Sequence, residues 1–144
     1  MINPVIDHIQ ITVKVMSMAV PFYDKFLSLI GFDVTKKVSA LIEEQDFYVV
    51  EYTHPLLSFA ITSPRKAFIN DTVNRRKPGA LHHLAFKATS RNEVDRLYVD
   101  LKKIGAQIVT QPKLYTEYSP DYYAVFFKDP DGIKYEIVSN EPEA

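Results

Sequence analysis

The chain repeats itself, and that limits what it can fold into. A strand-like run holding His8 stands 23 residues before Gly31, and another holding His83 stands 22 residues before Gly105. A segment of helical periodicity fills each gap. Ile30-Gly31-Phe32-Asp33-Val34 then parallels Ile104-Gly105-Ala106-Gln107-Ile108, and the turn His54-Pro55 matches Asp129-Pro130. Each half reads β-α-β-β-β, with a period of about 75 residues. A half of that size has one sheet face on its helix and another needing cover, so pairing two halves closes a cup of eight strands over a concave interior. The predicted fold is therefore α+β. It is a single domain of two βαβββ modules, about 4–62 and 80–140, joined by a connector at about 63–79.

The elements follow from local pattern. Val5 to Val13 alternates and puts His8, Gln10 and Thr12 on one face. Ser17 is the expected cap of a helix through Leu29, with Val20, Tyr23, Phe26, Leu27 and Ile30 at helical spacing and Gly31 at its end. Strands are expected over Phe32–Lys37, Leu41–Tyr52 and Leu56–Ile61. The polar connector has Pro64 and Pro78 near its ends, with one short helix expected around Lys66–Asn74. In the second half Leu81–Lys87 reads as a strand. Ser90 and Glu93 form a capping box for a helix to Ile104 that buries Val94, Leu97, Tyr98, Leu101 and Ile104. Ala106–Gln111 is the next strand. Tyr122–Lys128 and Ile133–Val138 flank Asp129-Pro130-Asp131-Gly132, where Pro130 fixes φ, the aspartates cap the turn and Gly132 admits positive φ. That is a β-hairpin.

Composition removes several function classes. A net charge of −1 over 144 residues makes no field for nucleic acid or an anionic membrane. Arg75-Arg76-Lys77 reads as a solvated stretch of connector. The chain has no cysteine, which excludes disulfides, thiolate ligands and a cysteine nucleophile. No apolar run has the length of a membrane span, and no export signal is visible, so a cytoplasmic protein is expected.

Glu136 is the anomaly. It lies between Tyr135 and Ile137-Val138 on a strand whose neighbours read as buried, and an inward carboxylate needs a cation, donors or a metal. Superposing the halves sets His8 opposite His83, with Glu136 in the last strand of the second half. Two imidazoles and a carboxylate on strands suit Zn²⁺, Fe²⁺, Mn²⁺ or Ni²⁺ and leave open positions for substrate. The competing reading is an internal His–Glu hydrogen-bond network in a metal-free protein. His54 and His82 read as packed and hydrogen-bonded residues and Asp7 as an exposed strand or bulge residue. Tyr115, Tyr118, Tyr122 and Tyr123 suit sheet and rim packing. Tyr123 is the one selected as acid or orienting group. Phe47, Tyr48 and Phe59 are the expected pocket wall.

Ile6-Asp7-His8-Ile9, Leu81-His82-His83-Leu84-Ala85-Phe86 and the run Phe127 to Val138 resemble the vicinal oxygen chelate superfamily. Its members include glyoxalase I, extradiol dioxygenases, fosfomycin-resistance thiol transferases and bleomycin-binding proteins. The resemblance covers nearly the whole chain and implies metal ligands at His8, His83 and Glu136. Members of the glyoxalase I type carry a second glutamate in the last strand of the first half, where this chain has Phe59 or Ala60; Glu51, on the preceding strand, is the alternative carboxylate. The implied activity is Lewis-acid catalysis on a small substrate that chelates a divalent metal (Zn, Fe, Ni or Mn) through vicinal oxygens. The alternative is a metal-free protein that binds an aromatic or drug-like molecule. A thiol transferase acting on an epoxide is a weaker third reading. Family members are commonly homodimers, with halves paired within one chain or across two.

Overall fold

Local periodicity builds a helix-backed sheet in the first half, and the second half builds it again. In the computed structural model, which describes residues 2–143, the chain divides between Asp71 and Thr72 into two units. The first runs β1 (His8–Thr12), α1 (Met16–Leu29), β2 (Val38–Ile42), β3 (Phe47–Thr53) and β4 (Ser58–Thr62). The second runs β5 (Leu84–Lys87), α2 (Arg91–Lys103), β6 (Gln107–Leu114), β7 (Tyr123–Lys128) and β8 (Lys134–Ser139). The sheet orders are β1-β4-β3-β2 and β5-β8-β7-β6. In each, the first strand pairs parallel with the last and the others pair antiparallel.

Aromatic and aliphatic residues on one helix face hold each sheet. Tyr23 of α1 stacks on Phe59 of β4 with ring centroids 5.7 Å apart. Buried Tyr52 donates to Asp24 Oδ1 at 2.8 Å, and Lys37 Nζ reaches the same carboxylate at 2.7 Å. Burial and that bond raise the Tyr52 phenol pKa well above its usual value. In the second unit α2 lies on β6, β7 and β8 and buries Val94, Leu97 and Leu101, each contributing about 1.5–3 kcal/mol of apolar burial. Ser90 caps it as expected, its Oγ accepting from the Glu93 N–H at 3.1 Å, while the Glu93 carboxylate reaches past Ser90 to accept from the Thr89 N–H at 3.2 Å.

Several boundaries differ from the sequence reading. Helix α1 starts at Met16 behind Val15, with no side-chain cap, so Ser17 sits inside the first turn. The expected strand Phe32–Lys37 is a 3-10 turn at Val34–Lys36, because the Asp33 side chain accepts from the Thr35 N–H. The expected strand Leu41–Tyr52 is two strands: the chain turns at Glu43–Gln45, and Asp46 takes the left-handed conformation (φ 54°), which a short polar side chain tolerates. The connector holds a 3-10 turn at Lys66–Phe68 instead of a longer helix. His82 and His83 lie in the lead-in to β5, since pairing begins at Leu84. Strand β6 runs on to Leu114 with register shifts on either side of Thr110, and it carries Pro112 on an edge strand, where a missing N–H costs least. The Asp129–Gly132 turn forms as read. Gly132 has φ 96°, and buried Asp129 accepts from the Asp131 and Ile133 N–H groups at 2.9 Å each.

Candidate functional site

Hairpin register decides which side chains meet Glu136. Phe126 pairs with Glu136, Ala124 with Val138 and Lys128 with Lys134, and directly opposed residues share a face. The odd-numbered residues of β7 face the helix: Tyr123 donates to Asp95 of α2 at 2.6 Å. Lys134, Glu136, Phe126 and Ala124 therefore stand on the other, open face. Tyr122, just before β7, keeps the even phase, and its hydroxyl donates to Glu136 Oε2. The other carboxylate oxygen, Oε1, lies 3.2 Å from His83 Nε2, with the Glu136 side chain 1% exposed and that of His83 33%. His83 Nδ1 is in turn 2.7 Å from His82 Nδ1, so one of these two nitrogens carries the proton and the other accepts it.

These groups floor a cleft of about 590 Å³ walled by Tyr115, Tyr118, Tyr122 and Phe126, with Lys134 and Thr110 at its sides. That volume suits a small molecule. Burial, then the bond to Glu136, push the Tyr122 phenol pKa well up. Burial chiefly raises that of Tyr115. Desolvation and the charges of His83, Arg75, Lys134 and Arg76 pull His82 below the usual imidazole value. Lys134 is lowered by desolvation and by Arg75 and Lys128, with Glu136 acting the other way.

Of the residues expected from sequence, His83 and Glu136 come together. His8 is on the open face of β1 in the first unit, its side chain 61% exposed and its Nδ1 2.7 Å from Asp7 Oδ1. Tyr123 points to the helix side, where burial and the Asp95 bond push its pKa up to about 12; Tyr122 is the tyrosine that reaches the carboxylate. Phe47 lines a separate cleft of the first unit, of about 550 Å³, with Gln10, Thr12 and Thr62. Tyr48 is exposed, its backbone bonded to Ser63. Phe59 is fully buried against Tyr23, on the helix side of its sheet. His82 is hydrogen-bonded to His83, as read, but it is exposed, which corrects the reading of it as packed. His54 does pack, against Phe32, and accepts from the Leu56 N–H. Arg75, read as solvated, has its Nε buried without a hydrogen-bond partner.

The paired registers also locate the missing second carboxylate. Ile9 pairs with Phe59 and Gln10 with Ala60, as Leu84 pairs with Tyr135 and Ala85 with Glu136. Ala60 thus holds the position equivalent to Glu136. Glu51 pairs with Ala60 and shares its face, and it is exposed.

Donor chemistry bears on a metal. Nitrogen and oxygen donors 3.2 Å apart have the spacing of neighbours on one divalent ion with ligand distances of about 2.0–2.2 Å; the same spacing suits a direct hydrogen bond. Among the described residues no three His, Asp or Glu side chains are grouped so as to hold a metal ion. His83 and Glu136 therefore fit two positions of a metal site and leave the third to another donor. Tyr122, read from the sequence as rim packing, is the tyrosine that bonds Glu136. Counting back from the Lys128–Lys134 pair at the hairpin mouth would have put it on the face of Glu136.

Residues 5–137 match the Glyoxalase/Bleomycin resistance protein/Dioxygenase superfamily, and the chain belongs to it. It is 29% identical over 134 residues to the uncharacterized protein YqjT of Bacillus subtilis, across 92% of this chain and 96% of that one. The fold is similar to a crystal structure of a candidate glyoxalase from Bacillus halodurans (TM-score 0.74, 29% identity, 95% of this chain and 96% of the other). It is similar too to the fosfomycin resistance protein FosX of Listeria monocytogenes, solved with Mn(II) and a dihydroxypropylphosphonic acid (TM-score 0.61, 17% identity, 92% and 89% covered). At that identity FosX speaks to the fold alone.

Proposed function

We propose that the protein is a metal-dependent enzyme in which His83 and Glu136, with His8 as the expected third ligand, hold a divalent ion, and that its small substrate chelates this ion through vicinal oxygens. The observation that carries the reading is Glu136: a carboxylate 1% exposed at the floor of an open cleft, gripped by a phenol on one oxygen and facing an imidazole with the other. Packing alone gives no reason to bury a charge there. Candidate ions are Zn²⁺, Fe²⁺, Ni²⁺ and Mn²⁺, and Mn(II) occurs in FosX, which has the same fold. A bound divalent ion supplies Lewis acidity, stabilising negative charge that develops on a substrate oxygen. The chain's own residues do the rest. Tyr122 pins Oε2 and so aims Oε1 at the cleft, and the aromatic walls seat the substrate and thin the water around it.

The test is metal content by mass spectrometry on untagged protein, wild type beside His83→Ala and Glu136→Ala. Near-stoichiometric metal in the wild type and its loss in both variants is the expected result. A wild type that holds none, even after reconstitution, overturns the reading. The alternative then stands: a metal-free protein that binds an aromatic molecule. It is favoured by the direct contact of His83 with Glu136 and by the ring-lined wall.

A further inference from the structure

The substrate's chemical class can be argued from the same cleft; this inference rests on the reading above that the cleft is the functional site. Its wall is aromatic and ordered. Tyr115 and Tyr118 stack with centroids 5.5 Å apart and planes 18° apart, while Phe126 meets Tyr115 edge-on at 5.6 Å. Tyr118 is 63% exposed, so one aromatic face stands open at the mouth, where a flat ring can stack.

The charge around the cleft is unbalanced. Lys134 stands two residues before Glu136 on the same face, its Nζ 4.7 Å from the centre of the Phe126 ring. Among the described residues neither Lys134 nor Arg75 takes part in an ion pair. Arg75 Nε is buried with no hydrogen-bond acceptor. Glu136, the acid on the same face, is engaged by Tyr122 and His83. An ammonium beside an aromatic ring, lining the cleft and without an ion pair, lacks an anion.

We propose that the cleft takes an aromatic carboxylate: the ring lies among Tyr115, Tyr118 and Phe126, and the carboxylate accepts from Lys134. Lys134 is then a specificity-determining residue. A neutral ring with the same oxygens fills the wall and leaves the ammonium unpaired.

Two probes isolate the carboxylate. 3,4-Dihydroxybenzoate and catechol share a ring and two vicinal hydroxyls and differ by that group alone. By titration calorimetry the wild type is expected to bind the acid about tenfold more tightly, as one charge-assisted hydrogen bond in a half-buried site implies. Lys134→Met should bring the ratio near unity, Lys134→Arg should retain the preference, and added salt should narrow it. Equal affinities in the wild type, a ratio unchanged by Lys134→Met, or binding of neither probe at millimolar concentration overturns the proposal. Repeating the titrations on chelator-treated protein separates it from the metal reading. A preference for the acid that survives while neither affinity changes supports the aromatic-anion site and counts against the metal.

Discussion

Tyr122→Phe removes one oxygen and leaves the ring's packing in place, so its cost reports on the bond to Glu136. That carboxylate is 1% exposed, and a hydrogen bond to a buried charged group contributes about 1.5–3 kcal/mol. Tyr122 itself is only part-buried on an open cleft, so water can partly replace the lost donor. We expect the low end, about 1.5 kcal/mol. Glu136→Gln keeps the shape but gives up the charge that both Tyr122 and His83 use. If the three groups act as a unit, the double variant will be destabilised by less than the sum of the singles, with a coupling of about 1–2 kcal/mol. Urea unfolding followed by circular dichroism, on chelator-treated protein so that no ligation enters, measures all four corners of the cycle. Additivity within about 0.3–0.5 kcal/mol would refute the reasoning, because the phenol would then be neighbour to the carboxylate without holding it.

The hairpin turn and the alkaline limb offer two more tests. Asp129→Ala strands the Asp131 and Ile133 N–H groups that now share one buried carboxylate oxygen, and should cost about 2–4 kcal/mol in urea unfolding; Asp129→Asn, which keeps an acceptor, should recover part of it. Tyr123 is raised from 10 to about 12, first by burial and then by its bond to Asp95. A raised pKa of this kind supplies stability that is fully present below the unfolded value and is lost as pH rises through the folded one. Stability should therefore decline from pH 10 to about 12. Tyr123→Phe should remove a step near pH 12 from the phenolate absorbance titration, and loss of a step near pH 10 instead would count against the burial and Asp95 bond that raise it.

Much of this protein is set by interactions within a few residues, and that part was legible in the chain. The helix cap at Ser90, the glycine stops at Gly31 and Gly105, and the Asp129–Gly132 turn each act through local backbone hydrogen bonds or local dihedral preference. Their recurrence in order yields β-α-β-β-β twice. Glu136 was legible as an anomaly for the same reason: a charge inside an apolar run is visible without coordinates. The first unit's strand ends were not. Asp33 breaks the expected strand by capping a turn through the Thr35 N–H, and Asp46 by taking a left-handed backbone, choices that the apolar pattern around them does not reveal. Tyr122 and Tyr123 are adjacent and chemically identical, yet one grips Glu136 and the other Asp95, since a one-residue difference in phase places a strand side chain on the opposite face. Arg75 looked solvated because its nearest charges in sequence are other cations. Its effect on Lys134 and His82 arises only when the second unit folds and brings together charges far apart in the chain. Backbone order is decided locally; the chemistry of the cleft is decided by register and long-range burial, which no local pattern encodes.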